Sequence, residues 1–203
     1  MRTVVIGCDV AKHTDWTVLI AMDAETGRCF AMERFNHLDW PIQKERIVGF
    51  TRKHRGRLIL DATGVGDPIF DDLRRMIPDI EGFKFTPLSK TELVQRLIVA
   101  VEQRKVSWPC VAPAAQAPVA MQGGCEHWDV LTAEMKRFEY QISPNGNVTY
   151  GAPGGYHDDC VMALALANHR RWETESCGRM LRVGGVGKRL GARGRRRERC
   201  LIG

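Results

Sequence analysis

The sequence predicts an α/β fold in which helices cover a mixed β-sheet. Three observations predict it: short apolar runs open the chain, a long helix-forming segment spans residues 89–104, and a continuous apolar segment follows residue 159. Short apolar runs bounded by turn residues indicate buried strands, whereas longer segments with apolar residues three or four positions apart indicate helices. Because strands and helices are interleaved along one chain of 203 residues, a single layered domain is expected.

The first half of the chain predicts a meander of three antiparallel strands, followed by alternating helices and strands. The meander strands cover residues 4–9, 16–22 and 29–35, with turn chemistry at 23–27. A helix over 41–54 and a strand over 57–61 follow. A second helix is expected to start at Pro68, with Asp67 as its N-cap, and a further strand covers 82–86.

The second half of the chain is predicted to be mainly helical, with one hairpin. Ser89 and Glu92 form a capping-box pattern at the start of the long helix over 89–104. A short helix is expected over 131–138, and Asn145-Gly146 predicts the turn of a hairpin within 138–150. The last helix begins at Asp158 or Asp159 and is apolar on every side, so it should be buried.

Composition excludes several classes of protein. Hydrophobic content of 44% and charged content of 27% are ordinary for a globular domain. No apolar run approaches the roughly 18 residues of a membrane span, and the N-terminus lacks a signal-peptide pattern, so we expect a location in the cytoplasm and no membrane partner. Seven cysteines without a Cys-x-x-Cys pair argue against a zinc ribbon or a disulfide framework and favour buried thiols.

The positive charge is concentrated at the C-terminus. Residues 178–203 contain nine Lys or Arg and one acid, so this segment carries +8 and the rest of the chain −2. We therefore divide the chain into a folded domain over 1–175 and a basic Gly/Arg-rich tail over 176–203, expected to be disordered. Arg195, Arg196 and Arg197 suit contacts with a nucleic-acid backbone, and a merely solvated extension is an equal alternative.

Three acidic positions end or start buried elements. Asp9 follows the first strand, Asp61 follows the fourth, and Asp158 and Asp159 precede the last helix. Because the ends of neighbouring strands lie close together in an open sheet, we expect these carboxylates to converge. Two carboxylates about 4 Å apart repel by roughly 4 kcal/mol at an effective dielectric near 20. Protonation or a divalent cation relieves this repulsion, and all-oxygen sites suit Mg²⁺ or Mn²⁺.

A pair of such ions, about 3.5–4 Å apart, is the arrangement with which many enzymes hydrolyse phosphodiesters. Each residue also has a structural alternative. For Asp9 and Asp61, the alternative is a role in the turn after a strand. One of Asp158 and Asp159 is expected to be the helix N-cap, and Asp159 is preferred as the metal ligand. Asp15 is a weaker ligand candidate. Lys90 and His157 are candidates to contact a phosphate or to orient a water, and a solvated or structural role is the alternative for both.

These residues lie in motifs that resemble the nuclease domain of phage terminase large subunits. The resemblance covers residues 3–172 in order. Its motifs are Gly7-Cys8-Asp9-Val10-Ala11 with Asp15-Trp16-Thr17, Asp61-Ala62-Thr63-Gly64-Val65-Gly66-Asp67-Pro68, the segments 89–93 and 101–106, and His157-Asp158-Asp159-Cys160. The specificity of the resemblance comes from the occurrence of all these motifs in the same order.

The resemblance implies an RNase H-like fold with a central mixed five-stranded sheet, flanking helices and an added β-hairpin. It further implies a two-metal (Mg²⁺ or Mn²⁺) endonuclease that cuts double-stranded DNA during genome packaging. Asp9, Asp61 and Asp159 would be catalytic ligands, with Asp15 and Asp158 as supporting acids. The implied partners are duplex DNA, a terminase ATPase domain or chain, the small terminase subunit and the portal protein, in the host cytoplasm.

One departure from the family pattern leaves alternatives open. Terminase large subunits carry an ATPase motor before the nuclease, whereas this sequence starts at the nuclease, so we expect an excised domain, a split gene product or a prophage remnant. A junction resolvase or transposase-like nuclease can use the same acidic layout. A non-catalytic packaging or DNA-docking module is the third possibility. An actin-like or sugar-kinase fold would require nucleotide-binding glycine loops and a second repeat, and a sequence of 203 residues is too short to supply them.

Overall fold

The structure is a computed structural model that describes residues 3–11, 15–64, 66–109, 126–142 and 148–184. Seven strands and five helices lie within these ranges. In chain order they are β1 (Val4–Asp9), β2 (Thr17–Asp23), β3 (Cys29–Phe35), α1 (Trp40–His54), β4 (Arg57–Asp61), α2 (Gly66–Leu73), β5 (Ile80–Phe83), α3 (Pro87–Glu102), α4 (Glu126–Arg137), β6 (Glu139–Ile142), β7 (Val148–Gly151) and α5 (Asp159–Gly184).

The main sheet has five strands in the order β3-β2-β1-β4-β5. β1, β2 and β3 pair antiparallel, which confirms the predicted meander. β4 pairs parallel with β1 and with β5, so the sheet is mixed as expected. β6 and β7 form the added hairpin, and its Asn145-Gly146 turn lies outside the described residues. The parallel pairing places the C-terminal ends of β1, β4 and β5 at one edge.

Helices cover both faces of the sheet, because alternate residues of each strand are apolar on opposite sides. Val5, Val18 and Ile20 pack on the face covered by α3, α4 and α5. Ile6 and Leu19 belong to a second apolar cluster, which α1 and α2 cover on the other face. Residues 160–167 of α5 are all buried, which confirms the prediction for the last helix.

Several predicted element boundaries were wrong, including the start of α4, which lies at Glu126 and not at residue 131. The long helix begins at Pro87, with Thr86 as N-cap; the capping box joins Thr86 and Ser89, and Glu92 has no part in it. Proline at the first helical position moved the start two residues earlier than the apolar pattern indicated. α2 begins at Gly66, so Asp67 lies within its first turn. β5 ends at Phe83 because its backbone pairs with β4 only as far as Asp61.

Three of the seven cysteines lie in the described core. Cys8, Cys29 and Cys160 are free and buried, as predicted from their irregular spacing. Burial raises the pKa of Cys29 to about 12, and it also raises the pKa values of Cys8 and Cys160. These thiols therefore lack both access to solvent and the thiolate form that reacts with electrophiles.

We expect iodoacetamide at pH 8 to leave Cys8, Cys29 and Cys160 unmodified in the folded protein. Peptide mass spectrometry after a short pulse of reagent would measure modification at each site. The same pulse in 6 M guanidinium chloride is the control, and it should label all seven cysteines. Labelling of Cys29 under native conditions at the rate seen in guanidinium would contradict the buried position.

The described ranges contain no helix with the length and hydropathy that a membrane crossing requires. The backbone of α5 continues to Gly184, nine residues into the segment expected to be a tail. Residues 185–203, including Arg195, Arg196 and Arg197, lie outside the described residues.

Candidate metal centre

Two of the predicted carboxylates end neighbouring parallel strands. Cys8 of β1 is paired with Leu60 of β4, so Asp9 and Asp61 are the next residues along the two strands. Neighbouring strands lie about 4.8 Å apart, and both residues therefore reach the same sheet edge. The backbone N–H of Thr63 donates to Asp61 Oδ1 at 2.8 Å, which fixes that carboxylate at the end of β4.

The start of α5 brings Asp158 and Asp159 to the same edge. Residues 160–167 of α5 pack against the centre of the sheet, and this packing sets the position of the first turn. The backbone N–H of Trp16 donates to Asp159 Oδ2 at 3.2 Å. Asp158 Oδ2 lies 3.6 Å from Nζ of Lys90, a residue in the first turn of α3. The helix start thus places one carboxylate towards β2 and the other towards α3.

The four carboxylates at this edge influence one another electrostatically. Burial raises the pKa of Asp9 well above its usual range, and the carboxylates of Asp61, Asp159 and Asp158 raise it further. The Lys90 ammonium acts in the opposite direction and lowers the pKa of Asp9. A carboxyl group destabilised by three like charges is the arrangement that a bound cation relieves.

Burial also dominates at the two other predicted ligands. It raises the pKa of Asp61, while the hydrogen bonds from Thr63 and the charge of Lys90 lower that pKa. Burial likewise raises the pKa of Asp159, and the Trp16 N–H offsets part of the effect. The site therefore combines carboxyl groups whose ionisation is unfavourable with backbone N–H groups that hold two of them in place by hydrogen bonds.

Asp15 and His157 form the outer side of the cluster. His157 Nδ1 lies 3.4 Å from an Asp15 oxygen and 3.6 Å from Asp159 Oδ2. One ligand atom from each of the three residues falls within 4.8 Å of the others, which is close enough to hold a metal ion. Asp15 and His157 are exposed, whereas Asp159 is buried, so the cluster extends from the sheet edge towards solvent.

Sequence reasoning missed two residues behind the site. Glu134 of α4 is buried, and its Oε2 accepts the backbone N–H groups of Cys160 and Val161 at 2.8 and 3.3 Å. The guanidinium of Arg34 lies 3.5 Å from the centre of the Trp16 ring, and so packs on the residue that holds Asp159. The sequence contains one indication of Glu134, namely a glutamate within the predicted helix over 131–138. From sequence alone, such a glutamate looks like an ordinary surface residue.

A second group of acidic and histidine side chains lies elsewhere, where α5 meets β5. Ligand atoms of Glu81, His169 and Glu173 fall within 4.8 Å of one another. Arg170 pairs with both Glu81 and Glu173, and Arg96 Nη1 lies 3.1 Å from His169 Nδ1. Since arginine side chains already occupy the position that a cation would take, this group is an ion-pair network.

The mixed sheet and its flanking helices have the architecture of an RNase H-like domain, and comparison with known proteins agrees. The family model described as the terminase RNaseH-like domain matches residues 6–170. The chain belongs to this family. The RNase H-like fold that the sequence motifs implied is therefore confirmed, with its mixed five-stranded sheet and added hairpin.

Two curated relatives are the large terminase subunits of Thermus virus P23-45 and Thermus phage G20c. Each is 29% identical to this chain over 169 residues, which is 80% of this chain and 30% of the relative. The chain thus spans about a third of the length of these relatives.

The solved structures that resemble this chain include the large terminase nuclease of thermophilic phage G20c. With bound magnesium that nuclease is 25% identical, with a TM-score of 0.69, and the match covers 83% of this chain and 82% of the other. With bound cobalt it is 26% identical, with a TM-score of 0.68 over 83% and 81% of the two chains. The nuclease domain of the SPP1 large terminase with bound manganese shares the fold at 16% identity and a TM-score of 0.53, over 83% and 86%.

Proposed function

We propose that this chain is a divalent-metal-dependent endonuclease that cleaves double-stranded DNA during viral genome packaging. The observation that carries the proposal is the strand register and helix start that bring Asp9, Asp61, Asp158 and Asp159 to one sheet edge. The terminase nuclease relatives support it, since one of them binds magnesium and another manganese.

The residues at this edge fit Mg²⁺ or Mn²⁺. The donors are carboxylate oxygens, which these hard cations prefer, and the mutual repulsion around Asp9 requires positive charge. We assign Asp9, Asp61 and Asp159 as the principal ligands of two ions, with Asp158 and Asp15 as further ligands. Bound there, the ions would supply Lewis acidity and a source of nucleophilic hydroxide at neutral pH.

The chain's own residues prepare this site in three ways. The N–H groups of Trp16 and Thr63 hold Asp159 and Asp61 in fixed orientations. Lys90 lowers the pKa values of Asp9 and Asp61, so it favours the ionised form that binds a cation. Its ammonium group is partly exposed beside Asp158, within reach of a phosphate that approaches the acidic edge.

Binding of the duplex would depend on positive groups around the acidic edge. We assign Lys90 and His157 to contacts with the backbone nearest the cleaved bond, and Arg195, Arg196 and Arg197 to contacts farther along it. A terminase ATPase domain or chain, the small terminase subunit and the portal protein are the proposed partners, in the host cytoplasm. The large terminase relatives support this assignment.

The proposal is tested by incubating the purified chain with supercoiled plasmid in Mn²⁺, in Mg²⁺ or in EDTA. We expect nicked and then linear DNA with either metal and intact plasmid in EDTA, because hydrolysis needs the cations that the acidic edge binds. Gel electrophoresis over a time course measures both products. Cleavage that persists in EDTA would contradict a metal-dependent mechanism.

Two further substrates separate the alternatives. A four-way junction and a linear duplex of the same sequence should be cut at similar rates by a packaging nuclease. Strong preference for the junction would favour a resolvase instead. A chain that binds Mn²⁺ in a calorimetric titration but cuts neither substrate would favour a non-catalytic docking module.

A further inference from the structure

Glu134 reaches the start of α5 from a different helix. It lies in α4, and only 7% of it is exposed. Its Oε2 accepts two backbone N–H groups, those of Cys160 and Val161. The first turn of a helix leaves its N–H groups without intrahelical acceptors, so a buried carboxylate at this position satisfies two donors and meets the favourable end of the helix dipole.

These two N–H groups are the ones that Asp158 would otherwise cap. The N–H of Met162 donates to the Asp158 carbonyl at 2.9 Å, which makes Asp158 the N-cap residue of α5. Aspartate at an N-cap ordinarily uses its side chain to accept from the second or third helical N–H, here Cys160 and Val161. Since Glu134 accepts both, the Asp158 carboxylate is directed elsewhere, to within 3.6 Å of Lys90 Nζ.

We infer that Glu134 is a positioning residue, which caps α5 in place of Asp158 and thereby leaves both aspartates at the helix start available to the metal centre. The inference rests on the proposed function. It also bears on the choice between Asp158 and Asp159 posed by the sequence, in which one aspartate was expected to be the helix N-cap and the other the ligand. Without Glu134, the Asp158 side chain turns back to its own helix and the acidic edge loses one carboxylate.

The test compares Mn²⁺ affinity, measured by calorimetry, in wild type, Glu134→Ala and Glu134→Gln. We expect Glu134→Ala to bind Mn²⁺ about 10- to 100-fold more weakly, the usual range for residues that orient metal ligands. Glu134→Gln keeps an oxygen that accepts the Cys160 and Val161 N–H groups, so it should recover most of the affinity. If Glu134→Ala does not fold, Glu134→Met keeps the side-chain length without an acceptor and takes its place.

Asp23→Ala is the matched control. Asp23 is equally buried at 7% exposure, and its Oδ1 also accepts two backbone N–H groups, those of Glu25 and Thr26 at 3.0 and 2.8 Å. It lies opposite Val4, at the far end of β1 from Asp9. We expect this variant to lose thermal stability while it keeps wild-type Mn²⁺ affinity.

The outcomes distinguish this inference from the proposed function. Wild-type affinity in folded Glu134→Ala or Glu134→Met would overturn the positioning role and leave the nuclease proposal intact. Equal losses in Glu134→Gln and Glu134→Ala would also overturn it, since they would show that the charge matters and the cap does not. A wild-type chain that binds no Mn²⁺ would overturn the proposed function and this inference with it.

Discussion

Asp9→Asn is expected to abolish DNA cleavage and, at the same time, to stabilise the metal-free protein. Asp9 lies among three other carboxylates, so its charge is costly in the absence of a cation. Asparagine has the same shape without that charge, and we expect a gain of about 0.5–2 kcal/mol in the free energy of unfolding. Because a neutral amide is a poor ligand for a hard cation, plasmid cleavage in Mn²⁺ should fall at least about 10³-fold.

Two measurements check this prediction: a cleavage time course in Mn²⁺, and urea unfolding in EDTA. Asp129→Asn is the control, because the same change at an exposed position of α4 should alter neither result. A stable variant that still cuts plasmid at the wild-type rate would remove Asp9 from the catalytic assignment. A variant that is inactive and also less stable would point to a structural role for Asp9.

The strand-end carboxylates could be predicted from sequence because their signal is local. A short apolar run that ends in aspartate describes both β1 and β4, and the structure has these strands at the predicted positions. Parallel pairing of β1 with β4 then brings Asp9 and Asp61 to one edge. The position of Asp159 near this edge could also be predicted, because the apolar character of α5 requires that helix to pack on the sheet.

The contacts behind the site could not be predicted because they join segments far apart in the chain. The hydrogen bonds of Glu134 to the start of α5 span 26 and 27 residues, and that from Trp16 to Asp159 spans 143. No periodicity or motif relates such positions. The start of α3 was predicted wrongly for a related reason. Thr86 and Ser89 are both suitable N-cap residues, and the choice between them depends on where β5 ends.

Gly7→Ala is expected to have the largest effect on stability of any single-methyl change in the sheet. A Cβ at Gly7 would lie 2.1 Å from the carbonyl oxygen of Ala163 and 2.4 Å from the backbone nitrogen of Ala167. Both atoms belong to the backbone of α5, so no side-chain rotation relieves the clash, and the helix must move away from β1. We expect a loss of about 3 kcal/mol or more in the free energy of unfolding, measured in urea.

Because Gly7 and Asp9 are two residues apart in β1, they face the same helix, and displacement of α5 should also move Asp159 from the acidic edge. Mn²⁺ affinity should therefore fall together with stability in Gly7→Ala. Gly49→Ala is the control: a Cβ there meets no atom within 4 Å in the exposed face of α1, and alanine should stabilise the helix by about 0.4–1 kcal/mol. Unchanged stability of Gly7→Ala would mean that α5 does not rest directly on the backbone of β1.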